Sequence, residues 1–498
     1  MSLESRKKSA SLPDRAVQRW QPDLRSITQK PQPSAWEKFV AWIGMCAKTL
    51  MMLTQRPRTC IAQRGTATPL RQLRAPMSTQ TALDWLKIGL LSFGGPAAQI
   101  AMMNRLVVEQ RQWLTEKQFL SALSFCMLLP GPEAMQLATY CGWRRHGLAG
   151  GLVSGGLFVI PGAIVILALA AIYVSYGDMP IIDALFYGLK TAVLVVVIQA
   201  LVNVSKRALK SQTAWLIAIA SFVAIFFFNV PFPVIVTTAL LLGFFFIRTD
   251  RSEVKTTADV SVQTTLLTTL LWLFIWLAPL ALVAFTAPSI FGQIGQFFST
   301  LAVVSFGGAY AVLDYIRQDV VIHLGWISDD QLIIALGLAE TTPGPLILVT
   351  EFVAFLAAFN EGGQSLLYGI AGALVALWVT FAPCFLWIFV GAPYVEWIGA
   401  QARLSGALTA VTAAVVGVIL NLSLWFGLRV LFADVVSVQQ AWVTLDLPLF
   451  SSLDGLALAV FLGSCFLAFR FKASVFVLLS VAAVVGGTAR YLTAILTA

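Results

Sequence analysis

Charged residues are scarce in this chain. Asp, Glu, Lys and Arg make up only 11% of its 498 residues, whereas soluble globular proteins contain about 25%. Hydrophobic residues make up 58%, and the mean hydropathy is +0.82. These values exclude a water-soluble enzyme, and apolar runs of about 20 residues, the length that crosses a bilayer, recur along the chain. Because lipid offers backbone groups no partners, the sequence predicts an all-α polytopic membrane protein.

The residues of a metal centre or an enzyme active site are also scarce. The chain has two histidines, His146 and His323, and its six cysteines are scattered without a C-x-x-C pair. No tetrahedral zinc set can be formed from them. Walker A, H-E-x-x-H and G-x-S-x-G motifs do not occur. We therefore predict no metal, no cofactor and no enzymatic activity, which leaves a secondary transporter or a channel.

Positive charge is concentrated at the N-terminus. Residues 1–80 hold 14 of the 33 Lys and Arg residues but only 4 of the 24 Asp and Glu residues. This weakly periodic segment is typical of a disordered or membrane-surface tail, and the positive-inside rule places it in the cytosol. The net charge of +9 therefore does not indicate nucleic-acid binding. A transit peptide, and a translation start at Met77, are alternatives that the composition leaves open.

An internal repeat organises the rest of the chain. Four landmarks recur at one constant offset: SFGG at 92–95 and 305–308, Trp113 and Trp326, Gln118 and Gln331, and PGP at 130–132 and 343–345. The shared offset predicts two homologous repeats, 81–248 and 291–498, joined by a linker and connecting helix at 249–290.

The number of apolar segments predicts how the repeats are oriented. Thirteen segments follow the tail, and the two SFGG segments are the first and the eighth. Seven segments separate equivalent points, which predicts inverted-topology repeats. The charged loops 104–118 and 314–330 violate the positive-inside rule if every segment crosses the membrane, and obey it if the Gly- and Pro-broken segments are re-entrant hairpins. Both arrangements remain open at this point.

The repeated Gly and Pro motifs are the main candidates for a substrate site. Proline removes a backbone donor and glycine weakens a helix, so each motif should break its segment at membrane depth. Paired breaks in inverted repeats point to the substrate site of a transporter, and helix N-termini at a break favour an anion. Packing kinks are the alternative interpretation. The predicted substrate-binding residues of these motifs are Gly94, Gly95, Pro96, Pro130, Gly131, Pro132, Gly307, Gly308, Pro343, Gly344 and Pro345.

Polar and charged residues beside the breaks complete the candidate site. Neutral donors that could ligate oxyanion oxygens are Gln99, Asn104, Gln136 and Thr342. Cations that could attract an anion are Arg105, Arg111 and Lys190, although Lys190 could instead extend to the membrane interface. Glu133 and Glu340 are the candidates for carrying a coupling proton, and capping of a half-helix is the alternative role of Glu133.

These motifs together resemble the chromate ion transporter (CHR) superfamily in its long two-domain form. The resemblance runs from about residue 81 to the end and is carried by SFGGP at 92–96, RQW at 111–113, LPGPE at 129–133, FGGAY at 306–310 and AETTPGP at 339–345. It implies a secondary transporter in the bacterial inner membrane that exports chromate, driven by the proton gradient, with sulfate as a competing ligand. A sulfate or other oxyanion carrier and an anion channel are the alternatives. The oligomeric state, including a homo-oligomer, is left open.

Overall fold

The computed structural model describes residues 77–177, 179–247, 261–306, 308–440 and 443–497. Most of the predicted tail, most of the linker and the predicted site residue Gly307 lie outside these ranges.

Helices form almost all of the described structure. The first repeat contains α1 (Thr79–Leu91), α2 (Gly95–Asn104), α3 (Glu116–Cys126), α4 (Glu133–Tyr176), α5 (Pro180–Ala208), α6 (Gln212–Phe228) and α7 (Phe232–Phe246), followed by the connecting helix α8 (Val262–Thr286). The second repeat contains α9 (Ser289–Val304), α10 (Ala309–Ile316), α11 (Asp329–Thr341), α12 (Val349–Glu361), α13 (Leu366–Gly391), α14 (Val395–Ala400), α15 (Ala402–Leu431), β1 (Val435–Gln440), β2 (Val443–Pro448), α16 (Gly455–Arg470) and α17 (Val475–Thr497). The prediction of an all-α protein is confirmed, with one small antiparallel strand pair inserted between α15 and α16.

Six of the described helices are long and apolar enough to cross a bilayer. They are α4, α5, α8, α13, α15 and α17, and four shorter apolar helices, α6, α7, α9 and α16, accompany them. This set confirms a polytopic membrane protein. The apolar segments 84–103 and 119–142 are not single helices, because the chain breaks after Leu91 and again between Cys126 and Glu133.

The two halves repeat the same local structure. A capping box begins α3, with Thr115 and Gln118, and another begins α11, with Ser328 and Gln331, at the equivalent positions of the second repeat. A short π-helix follows α2 at Arg105–Gln110 and follows α10 at Arg317–His323. The internal repeat read from the sequence therefore extends to helix ends and caps.

The first broken segment folds back on itself. Arg111, beyond the end of α2, lies 2.6 Å from the carboxylate of Asp84, in the middle of α1. The rings of Trp85 and Trp113 are 6.1 Å apart. The chain therefore follows α1 to Leu91, turns at residues 92–94 and returns at least to the level of Asp84, about 10 Å of helix before the turn. We name residues 79–110 hairpin 1 and residues 92–94 tip 1.

Three further hairpins follow the same plan. The ring centroids of Trp113, just before α3, and His146, on α4, are 6.3 Å apart. The helix α3 and the first part of α4 therefore form a second hairpin, hairpin 2 (116–146), with tip 2 at 127–132. Gly147 has non-helical φ and ψ angles of 73° and −156° and ends that arm. In the second half, Trp326 contacts Phe297 at 6.2 Å, and its carbonyl accepts a 3.4 Å hydrogen bond from Asn360. These contacts define hairpin 3 (289–323), whose described tip residues 305, 306 and 308 we name tip 3, and hairpin 4 (329–361, tip 4 at 342–348).

Long helices pack closely around the hairpins through glycine. A Cβ placed on Gly188 of α5 would lie 2.1 Å from the carbonyl oxygen of Ala482 on α17, and one on Gly406 of α15 would lie 2.0 Å from that of Ile247, after α7. Gly188 and Gly406 correspond in the two halves at an offset of 218 residues, because the register of the repeat slips by five residues after the PGP motifs. Such contacts are typical of membrane helices whose backbones approach closely.

Cysteine labelling tests the hairpin geometry. Gln80 and Gln110 line one cleft between the arms of hairpin 1. We therefore expect Gln80→Cys and Gln110→Cys to react with a membrane-impermeant maleimide from the same side of the membrane. The background carries Cys46, Cys60 and Cys465 as Ser, because the remaining cysteines are buried. Labelling from opposite sides would mean that the segment crosses the membrane.

Candidate functional site

The four hairpin tips meet in pairs, each pair joining the two halves. The backbone N–H of Gly131 in tip 2 donates to the carbonyl of Ser305 in tip 3 over 2.9 Å, and that of Gly344 in tip 4 donates to the carbonyl of Ser92 in tip 1 over 3.1 Å. Ser92 and Ser305 are equivalent positions of the repeat, and so are Gly131 and Gly344. The two bonds are therefore equivalent, and each half donates one of them to the other.

Glycine permits this geometry at each tip. The φ angles are +85° at Gly94, +78° at Gly95, +109° at Gly131, +105° at Gly308 and +95° at Gly344. Side chains strain the backbone in this region, so glycine is the residue that the tips require. The prolines fit beside them: Pro96 lies in the first turn of α2, and Pro132 immediately precedes α4. Pro345 precedes a 3-10 turn at Leu346–Leu348, which leads into α12.

Gln99 connects the tips of opposite halves. Its Nε2 donates to the carbonyls of Ser92, at 3.1 Å, and Gly344, at 2.7 Å. Both amide hydrogens are thereby used, so in this arrangement Gln99 holds the tips together and has no donor left for an oxyanion. Gln136 donates similarly to the carbonyl of Pro130, at 2.6 Å. Both side chains are buried, and neither amide oxygen has a hydrogen-bond partner within the described part of the chain.

Carboxylates lie next to the tips. Glu340, at the end of α11, is buried and accepts a hydrogen bond from the hydroxyl of Tyr310, in the first turn of α10. The pair therefore connects the residues flanking tips 3 and 4. Glu133 begins α4 directly after tip 2, where a helix dipole favours negative charge. Glu351, in the first turn of α12, is fully buried, and neither of its oxygens has a hydrogen-bond partner among the residues that the structure describes.

Sequence reasoning missed a second polar cluster in hairpin 3. Asp314 on α10 is fully buried and accepts hydrogen bonds from Asn421 of α15, at 2.8 Å, and from Gln318, at 3.3 Å. Two neutral donors thus satisfy a buried carboxylate that would otherwise be costly. Asn421 is the counterpart of Asn203 in the first half, at an offset of 218 residues, and this recurrence is one sequence signal for the cluster.

Two of the predicted cations lie together, and neither belongs to a tip. Arg105 and Arg111 line a cavity of about 650 Å³ between the arms of hairpin 1, and Lys87, which sequence reasoning did not single out, lines it as well.

Two other predicted site residues, Lys190 and Asn104, bind carboxylates outside the tips. Lys190 forms a 3.1 Å ion pair with Asp330, at the start of α11 and about 20 Å of helix from tip 4. Asn104 donates to Glu116 at 3.1 Å near the outer ends of hairpins 1 and 2. Thr342 does lie in tip 4, where its hydroxyl donates to the carbonyl of Ala339 at 3.1 Å.

A comparison with known families decides the identity. The sequence profile described as chromate transporter matches residues 79–244 and 292–487, which is most of both halves. The chain belongs to the chromate transporter family. The resemblance read from the short motifs is confirmed, and this family is one of transporters.

Individual relatives agree with this assignment. A probable chromate transport protein of Synechococcus elongatus is 30% identical over 67% of this chain and 81% of its own length. The chromate transport protein of Cupriavidus metallidurans is 27% identical, over 73% of this chain and 85% of that protein. That of Pseudomonas aeruginosa is 30% identical, over 69% and 80%. No solved structure matches the chain.

Proposed function

We propose that this protein is a secondary transporter that exports chromate across a bacterial inner membrane and is driven by the proton gradient. The observation that carries the proposal is the reciprocal contact of the four tips, Gly131 with Ser305 and Gly344 with Ser92. Non-helical backbone at membrane depth is tolerated where it is buried in protein or lines a pathway. Paired breaks that meet between two repeats are typical of a transporter's substrate site.

The tips suit a tetrahedral dianion. The helices α2, α4 and α10 each begin at a tip, and a helix N-terminus offers unpaired N–H groups and a partial positive charge. Chromate presents oxygens in four directions, which matches donors that converge from several tips. The relatives named chromate transport proteins support chromate as the substrate. Sulfate has the same charge and shape and is the alternative substrate.

The proposed membrane arrangement is inverted. Hairpins 1 and 2 enter from the cytosolic side with the basic tail, and hairpins 3 and 4 enter from the opposite side, so that the tips meet near the midplane. The repeats of this arrangement are residues 81–248 and 291–498. Alternating access then consists of rocking one half against the other, with the two tip bonds breaking and re-forming.

Proton coupling is assigned to the carboxylates beside the tips. Glu340 connects the flanks of tips 3 and 4 through Tyr310, and Glu133 begins α4 after tip 2. A carboxylate that gains a proton loses its negative charge, so its protonation changes the potential that the dianion meets at the tips.

Uptake by everted vesicles tests the proposal. Vesicles containing the protein should accumulate chromate when a proton gradient is imposed, and excess sulfate should inhibit the uptake. Equal chromate uptake with and without the proton gradient would indicate an anion channel. Movement of labelled sulfate without chromate uptake would overturn the proposed substrate and keep the transporter.

A further inference from the structure

A cationic cleft lies between the two arms of hairpin 1. Its volume is about 650 Å³, and its lining includes Lys87 from α1, Arg105 from the π-helix and Arg111 from the segment that follows. Asp84 is the only carboxylate among the described residues that line it, and Leu91 and Met102 form part of the apolar wall. Three cations against one carboxylate leave the cleft with an excess of positive charge.

One of the three cations is already paired. The Arg111 guanidinium lies 2.6 Å from one Asp84 oxygen and 2.9 Å from the other. Among the residues that the structure describes, Lys87 and Arg105 form no ion pair. The cleft therefore contains two uncompensated cations and a third whose carboxylate partner a stronger anion could replace.

The second repeat shows that the fold does not require these charges. The positions equivalent to Lys87, Arg105 and Arg111 at the offset of the repeat are Thr300, Gln318 and Leu324. Arg317, the arginine of hairpin 3, is engaged: its guanidinium stacks 4.6 Å from the Trp425 ring and lies 3.7 Å from Asp446 of β2. The two ends of the pathway are thus electrostatically different, although their backbones repeat.

The cleft lies next to the tip contacts. Asp84, Lys87 and Leu91 occupy positions i, i+3 and i+7 of α1 and therefore share one face of that helix. Leu91 directly precedes Ser92, whose carbonyl accepts the cross-half hydrogen bond from Gly344. An anion held in the cleft is therefore close along α1 to tip 1.

We propose that this cleft is a capture site for a tetrahedral, doubly charged oxyanion, and that Asp84 competes with that anion for Arg111. The proposal rests on the proposed function, since the captured ion is the one transported. When the cleft is empty, Asp84 holds Arg111. A dianion that enters between Lys87 and Arg105 replaces Asp84 as the partner of the Arg111 guanidinium. Its second negative charge and tetrahedral oxygens make the stronger charge-assisted contacts. Capture on this side alone favours transport from it.

Transport kinetics of single variants test the capture site. Lys87→Gln and Arg105→Gln should each raise the half-saturating chromate concentration of everted vesicles about tenfold, the effect of losing one charged hydrogen bond, with a smaller change in maximal rate. Asp84→Asn should lower it, because Arg111 loses its competitor. Arg144→Gln is the matched control, since Arg144 is an exposed cation near the outer end of hairpin 2 and its replacement removes the same charge. Equal effects of Arg105→Gln and Arg144→Gln, or a weaker affinity in Asp84→Asn, would overturn the proposal.

A binding measurement distinguishes a free oxyanion from a lipid phosphate as the ligand of the cleft. It also tests the capture site independently of the proposed function. Labelled sulfate is added to the purified full chain in nanodiscs of zwitterionic lipid, with and without phosphatidylglycerol. We expect saturable sulfate binding that Arg105→Gln weakens in both lipids. If Arg105→Gln leaves sulfate binding unchanged but abolishes phosphatidylglycerol binding, the ligand of the cleft is a lipid phosphate and the proposed capture site is wrong. Arg105-dependent sulfate binding by a protein that transports no chromate would support capture and refute the proposed function.

Discussion

Replacing Gly131 by Ala should nearly abolish transport. A Cβ at this position would lie 2.9 Å from Cys384 Sγ and 3.0 Å from Gln136 Nε2, on a backbone with φ of +109°. Backbone strain and overpacking together cost about 2 to 6 kcal/mol. If the tip must keep this shape to bond with Ser305, even the lower figure reduces the initial rate of chromate uptake by about 30-fold. Uptake is measured in vesicles that contain equal amounts of folded protein, judged by size-exclusion chromatography.

The structure offers a control and a rescue for this variant. Gly363 has φ of +65°, and no described atom lies within 4 Å of the position that an alanine Cβ would take there. Gly363→Ala therefore tests left-handed strain without a clash and should transport normally. Adding Cys384→Ala to Gly131→Ala removes the nearest atom and should restore part of the rate. Normal uptake by Gly131→Ala would mean that tip 2 does not depend on this close packing and that its role in the pathway is wrong.

The breaks and the repeat could be predicted because local chemistry produces them. Gly131 and Pro132 interrupt a helix wherever they occur, and a constant offset between Ser92 and Ser305 is visible without coordinates. The direction of each broken segment was not fixed by that pattern. It needed contacts between distant parts of the chain, such as Asp84 with Arg111.

The finer assignments needed coordinates for the same reason. Gln99 bonds to Gly344, far along the chain in the other half, and no local pattern indicates that its amide hydrogens are used there. Composition identified Arg105 as a cation but could not pair it with Lys87 on the facing arm. The position of Lys190 within an apolar segment suggested a role in attracting the anion, but its side chain forms an ion pair with Asp330 instead.

Replacing Glu340 by Gln should uncouple transport from the proton gradient. Gln can still accept the hydrogen bond from Tyr310, so the link between the flanks of tips 3 and 4 is kept, but it cannot gain or lose a proton. We expect accumulation of chromate under a proton gradient to fall to the level measured without one. Exchange of labelled for unlabelled chromate across the same vesicles, which needs no net proton movement, should persist.

Tyr310→Phe separates the proton from the hydrogen bond. It removes the hydroxyl that donates to Glu340 and leaves the carboxyl able to titrate. Gradient-driven accumulation should therefore survive in Tyr310→Phe, with its pH dependence displaced, while it is lost in Glu340→Gln. If Glu340→Gln accumulates chromate as the unmodified protein does, Glu340 does not carry the proton, and the same pair of assays applied to Glu133→Gln tests the remaining candidate. Loss of exchange as well as accumulation in Glu340→Gln would assign the residue to the pathway itself, because an uncoupled carrier still exchanges its substrate.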